Sequence, residues 1–232
     1  MNDDEKTLAI DIGGSGLKML VLDPTGEPVT ERTRVKTPRP AEPEPIVSAL
    51  LTMDDAHGEY SRVSCGFPGV VVDGVVQSAP NLDGSWHGYD LRGVLEARFD
   101  RPARVANDAD VQGYGAVEGK GVELVITLGT GMGAALFVDG HLVPNLELGH
   151  HPFKDGKTYE DWLGRAGRDE HGKATWNATV REAIDQLAHL FNYRRLYIGG
   201  GNAKKLEIEL PDDVRVIANR AGLLGGIALW RD

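Results

Sequence analysis

Short apolar runs that end on glycine alternate along this chain with longer stretches in which apolar residues recur every three or four positions. Apolar, β-branched runs of four to eight residues read as strands, and the 3.6-residue period reads as helix. Thr7–Ile12 and Lys18–Leu22 therefore form a hairpin, with Glu27–Lys36 as a third strand. The Pro- and Glu-rich stretch from Thr37 to Pro45 is a loop, and Ile46–Met53 is a helix. Val63–Phe67 is a strand, and Val70–Gln77 folds back on itself at Asp73-Gly74, a strong hairpin signal. Leu91–Phe99 is helical, Ala103–Ala106 a strand, and Asp108–Glu118 a helix. Leu124–Leu128 and Ala134–Val138 flank a second glycine turn as strands. Lys173–Phe191 is the longest helical pattern, followed by strands at Leu196–Ile198 and Val214–Ile217 and a final helix at Ala221–Trp230.

This order contains a weak repeat. In each half a strand meets a glycine turn, a second strand returns, and helices and further strands follow. The pattern predicts a mixed α/β fold of two lobes with a central cleft. The expected division is 1–109 plus 221–232 for the N-terminal lobe and 110–220 for the C-terminal lobe, with the last helix folding back on the first lobe.

The two glycine turns carry the candidate chemistry. One is Asp11-Ile12-Gly13-Gly14-Ser15-Gly16-Leu17-Lys18, the other Leu128-Gly129-Thr130-Gly131-Met132-Gly133. Successive amides in such turns make an anion-binding concavity. A lone turn of this kind is commonly a tight hairpin and nothing more. Asp11 before the glycines and Lys18 after them add a carboxylate for Mg²⁺ and an ammonium for phosphate. Two such turns suggest a phosphate chain held from two sides. No Walker A loop and no dinucleotide fingerprint occurs.

Composition narrows the partners. The chain has 232 residues and a formal net charge of −10, which makes it a poor general binder of nucleic acid. Its single cysteine, Cys65, excludes an internal disulfide and a multi-cysteine zinc site. No apolar run approaches the ~20 residues of a membrane span. The acidic N-terminus lacks a signal-peptide pattern, so a cytoplasmic location is expected.

Asp108 follows a strand and opens a helix, where a carboxylate is stabilised. It reads either as an N-cap or as the base that takes a proton from an attacking hydroxyl. Glu147 and His150 bracket Gly149 and present a carboxylate and an imidazole, the paired acceptor and donor that a sugar needs. Asn81 and Asn107 are amides able to meet hydroxyls, and each also suits a turn. His150-His151 suggests a metal pair only weakly, since adjacent side chains diverge on most backbones.

These residues resemble the ROK family of sugar kinases and regulators. The first glycine turn is similar to its D-x-G-G-[TS]-x-x-K motif. Gly66 to Val71, Asn81 to Trp86, Asn107 to Asp110, Leu128 to His150, Ile198 to Lys205 and Asn219 to Gly222 continue the likeness in order, closest to the polyphosphate glucokinase subgroup. The resemblance implies an actin-like (ribonuclease H-like) ATPase fold and transfer of a phosphoryl group from polyphosphate or ATP to the 6-hydroxyl of glucose, with Mg²⁺ near Asp11. It implies Asp108 as catalytic base and Asn81, Asn107, Asp108, Glu147 and His150 as sugar-binding residues. It implies donor-binding roles for Asp11, Gly13, Gly14, Ser15, Lys18, Thr130, Gly131, Gly133, Gly200, Gly201, Asn202 and Lys204, with Lys205 beside them. It also implies a homodimer. The cysteine-rich zinc motif of many members is missing, as in the polyphosphate subgroup, so no zinc is expected. Glu160 stands in for a sugar-binding glutamate of the lost segment, although the stretch from Gly156 to Gly164 matches neither subgroup. A non-catalytic sugar-binding or regulatory protein of the same family is the alternative; the missing winged-helix module argues against a repressor.

Overall fold

The first glycine turn joins β1 (Thr7–Gly13) to β2 (Gly16–Leu22) in an antiparallel hairpin whose register runs from Thr7 opposite Leu22 to Gly13 opposite Gly16. A computed structural model describes residues 5–217 and 225–230. The Asn219-Arg220-Ala221-Gly222 stretch and the start of the expected final helix lie outside the described residues. The chain divides into two units, Met1–Gly115 with Arg220–Asp232, and Ala116–Asn219.

In the first unit β3 (Thr33–Val35) pairs antiparallel with β2, and β4 (Arg62–Phe67) and β7 (Ala103–Asn107) extend the sheet in parallel, giving the order β3-β2-β1-β4-β7. Val71–Val72 (β5) and Val75–Val76 (β6) form the separate hairpin expected at Asp73-Gly74. Parallel strands are covered on both faces and so read as unbroken apolar runs. β1 follows that rule: Leu8, Ile10 and Ile12 enter the core with Phe67 and Trp86, while Ala9 faces Ile227 on the other side. Helices α1 (Pro43–Asp54) and α2 (Leu91–Phe99) send Ile46, Leu50, Leu91 and Leu95 into the first core. The segment Gly225–Trp230, a run of 3₁₀ helix, closes the second face, with Ser64 Oγ donating to Gly226 O at 2.7 Å.

The second unit repeats this plan. β8 (Val122–Leu128) and β9 (Met132–Val138) form the hairpin around the second glycine turn, β10 (His141–Val143) joins β9 antiparallel, and β13 (Arg195–Gly199) and β14 (Val214–Val216) follow in parallel. The order β10-β9-β8-β13-β14 matches that of the first sheet strand for strand. The weak sequence repeat is therefore a repeat of topology. Trp176, Val180, Ile184 and Leu187 of α5 (Arg165–Phe191) cover this sheet. Glu123 is buried on β8 and accepts the N–H groups of Glu118, Gly119 and Lys120 and the hydroxyl of Tyr197.

Several elements differ from expectation. The third strand shrinks to Thr33–Val35, with one isolated bridge between Leu22 and Pro28, because proline cannot donate to a ladder. The helix at Asp108 stops at Tyr114, before Gly115. The long helix begins at Arg165 and breaks at Gly172, where φ is 77°. A small hairpin pairs β11 (Pro152–Lys154) with β12 (Lys157–Thr158), and β12 and the one-turn helix α4 (Tyr159–Leu163) fill the stretch from Gly156 to Gly164.

Candidate active site

In the first unit three parallel strands end side by side. Asp11 of β1 is in register with Gly66 of β4, which is in register with Ala106 of β7. Ligands of open α/β sheets bind outside such carboxyl ends. Asn107 caps helix α3 (Asp108–Tyr114): its Oδ1 accepts the N–H of Ala109 at 2.8 Å and of Asp110 at 3.3 Å. Its Nδ2 donates to Gly69 O at 3.1 Å. The cap thus falls to Asn107, and Asp108 stands at the first helical position without that task. Asn107 keeps one amide hydrogen for any further partner.

Asp108 has an unusual electrostatic setting. Burial, then the charge of Asp11, push its carboxyl up from 3.8 to about 7, against the N–H of Ala109 and the ammonium of Lys18. Lys18 Nζ donates to Asp11 Oδ2 at 2.6 Å, across the register pair of the two strands. Two carboxylates and one ammonium thus share a small region, and a group poised near neutrality is suited to proton transfer.

The first glycine turn is braced from its own unit. Thr37 Oγ1 donates to Gly13 O at 2.5 Å and Arg39 Nη2 to Gly14 O at 2.8 Å. Arg39 also pairs with Asp83, which accepts the N–H of Ala41. The carbonyl of Asn81 lies against Gly14. Ser15 is exposed at the tip.

In the second unit the glycine turn at 129–131 is enclosed by three segments. Asn202 donates from its N–H to Leu128 O at 2.8 Å and from Nδ2 to Gly129 O at 2.9 Å. Its Oδ1 accepts from Arg168 Nη1. The N–H of Arg165 donates to Thr130 O at 3.1 Å. Glu160 Oε2 accepts the N–H of Met132 at 2.9 Å and occupies the place a Cβ on Gly131 would need, 2.0 Å away. Gly200 has φ +85°, and a Cβ there would stand 2.4 Å from Leu128 O, so only glycine lets this loop approach. Gly133 lies within β9, donating to Thr127 Oγ1 at 3.2 Å. Gly201 and Lys204 are exposed beyond Asn202, with Lys205 half-buried. Glu160, Arg165 and Arg168 were not legible as turn partners, because only the fold brings their segment to the hairpin.

Glu147 precedes and His150 ends a single 3₁₀ turn, Leu148–His150, with Glu147 Oε2 3.4 Å from His150 Nδ1. Burial raises the Glu147 carboxyl above its ordinary range, His150 opposes the rise and Glu160 adds to it. His151 turns away, its Nδ1 2.8 Å from Pro152 O. No group of three or more metal-ligating side chains occurs among the described residues.

Comparison with known proteins extends this picture over the whole chain. The polyphosphate glucokinase of Mycobacterium leprae is 31% identical over 93% of this chain and 72% of its own. The inorganic polyphosphate/ATP-glucomannokinase of Arthrobacter sp. strain KM superposes with a TM-score of 0.87 at 36% identity, covering 98% of this chain and all of the other. A ROK family glucokinase of Streptomyces griseus, solved with glucose and AMPPNP, shares the fold at a TM-score of 0.78 and 24% identity, covering 97% and 98% of the two chains. These neighbours have the actin-like α/β ATPase fold, and this chain has it too. The model of the ROK family matches residues 7–161, and the chain belongs to that family.

Proposed function

We propose that this protein is a hexose kinase that transfers the terminal phosphoryl group of inorganic polyphosphate or ATP to the 6-hydroxyl of glucose. The observation that carries the reading is Asp108: a carboxylate at the carboxyl ends of parallel strands, relieved of capping by Asn107 and held near neutrality beside Asp11 and Lys18. The names of the relatives supply the substrate classes.

In this reading Asp108 accepts the proton of the 6-hydroxyl as its oxygen bonds to the terminal phosphorus. The bond from that phosphorus to the bridging oxygen breaks, leaving ADP or a polyphosphate one unit shorter. Little basicity is needed, since the transition state is loose and positioning dominates. Asn81, Asn107, Glu147 and His150 meet the sugar hydroxyls. The amides of Gly13, Gly14 and Ser15 in one unit, and of Thr130, Gly131 and Gly133 in the other, receive phosphate oxygens with Lys18. Gly200, Gly201, Asn202 and Lys204 border the donor.

Magnesium takes one or two carboxylates together with phosphates and water. Asp11 fits that pattern as a single carboxylate on the phosphate turn, with Lys18 as its present partner. Bound there with the donor, the ion would neutralise charge on the transferring group. The reading includes a cytoplasmic homodimer, which sedimentation tests directly.

A coupled assay for glucose 6-phosphate, run with ATP and with polyphosphate, decides the matter. Product from either donor supports the kinase. Glucose binding by calorimetry with no product from any donor and hexose would make the protein a sugar-responsive regulator.

A further inference from the structure

The edge strand β3 lies in an unusual charge row. Arg34 is on the strand and Arg32 and Lys36 flank its two ends, so at every second residue of extended backbone the three share one face. All three are exposed, and none enters an ion pair among the described residues. The register places Arg34 opposite Lys18, and Lys18 opposite Asp11, so the row continues across the sheet to the first phosphate turn. The Arg34 guanidinium folds over that turn: a Cβ on Gly16 would stand 3.0 Å from both its Nε and its Nη2.

The opposite face of the strand is anchored. Thr33 Oγ1 lies 2.8 Å from Nε2 of the buried His57, and Thr30 Oγ1 lies 3.1 Å from its Nδ1. One imidazole thus fixes the strand and leaves its cationic face outward. Edge strands often carry Lys and Arg simply to block pairing with another chain. That task needs charge projecting along the free edge, whereas Arg34 turns inward onto Gly16. In a chain of net charge −10, three uncompensated cations beside a phosphate turn are a local exception that attracts a polyanion.

We propose that Arg32, Arg34 and Lys36 form a track for the trailing phosphates of a polyphosphate donor whose reacting end lies at the Gly13–Gly16 turn. This rests on the polyphosphate reading above. A strand rises about 3.3 Å per residue, so the track is about 13 Å long. A nucleoside triphosphate leaves its far end unused.

The experiment compares wild type, R34Q and R32Q/R34Q/K36Q. It measures equilibrium binding of end-labelled long-chain polyphosphate, and steady-state kinetics with polyphosphate and with ATP at saturating glucose. The triple variant is expected to bind polyphosphate at least tenfold more weakly and to raise the KM for polyphosphate at least tenfold more than the KM for ATP. R34Q should give part of that loss. Circular dichroism melts verify that each variant is folded, and R34K, which keeps the charge, should retain most of the affinity. Unchanged polyphosphate affinity in a folded triple variant overturns the proposal, as do equal losses with ATP and polyphosphate. If wild type phosphorylates glucose from ATP yet binds no polyphosphate, the track is refuted while the kinase stands. If polyphosphate binding depends on these residues but neither donor yields product, the kinase reading falls and the donor role of the track falls with it.

Discussion

At the scale of single residues, the sharpest expectation concerns Asp108. Its folded-state pKa of about 7 lies above the ordinary carboxylate value, so folding favours its protonated form. The group therefore costs stability above pH 7, and the cost fades as the pH falls toward 4, where both states hold the proton. Asp108→Asn should melt higher than wild type at pH 8 and equal to it near pH 4, as differential scanning calorimetry will show. The same substitution should lower kcat by ~10² or more, the scale of a lost acid–base group. It should also remove the fall in rate below pH 7. A variant with normal turnover under saturating donor would disprove the base. Glu147 makes a second test. A charge-assisted hydrogen bond to a buried ligand contributes ~1.5–3 kcal/mol, so Glu147→Gln should weaken glucose binding about tenfold or more in calorimetry. Unaltered affinity would remove Glu147 from the sugar site.

At the scale of elements, the glycine turns show what local sequence carries. Both hairpins around them, the Asp73-Gly74 hairpin and the helix Leu91–Phe99 were legible, because periodicity and turn chemistry agree there. The sequence offered Asp108 as the cap of α3, and the geometry assigned the cap to Asn107, one position earlier. The enclosure of the second turn by Glu160, Arg165, Arg168 and Asn202 was not legible as a whole: it joins residues 28 to 73 positions apart, and a one-turn helix such as α4 has too few residues to show a period. Gly200 tests this enclosure. Gly200→Ala forces a side chain at φ +85° against Leu128 backbone, and strain plus overlap should cost ~2–4 kcal/mol. Denaturant melts should report that loss, together with a higher KM for both donors. A variant as stable as wild type would mean that the loop can move away from β8.

At the scale of the whole molecule, charge sets the behaviour. A chain of net charge −10 repels a polyanion at long range, so capture depends on local cations acting within about a Debye length, roughly 8 Å at physiological salt. Raising ionic strength from about 0.05 to 0.3 M should then raise the KM for polyphosphate more steeply than the KM for ATP, because more screened contacts are involved. Equal slopes in steady-state assays would show that both donors use the same few charges. The duplicated sheet order of the two units gives each a glycine hairpin at a corresponding place, which explains why two such turns occur in one short chain.

Glu123 gives the glycine-rich stretch Glu118 to Gly121 a different meaning. Burial pushes its carboxyl up, but three N–H groups and the Tyr197 hydroxyl outweigh that and hold it below the ordinary range. The loop is an anion receptor whose anion is built into the chain. Seen only as letters, Gly119-Lys120-Gly121 resembles the two glycine turns. What marks the loop as structural is that one carboxylate of β8 accepts three of its amides, whereas Glu160 takes only the N–H of Met132 at the second glycine turn. A glycine-rich turn can therefore be pure architecture, made so here by one side chain two residues further on.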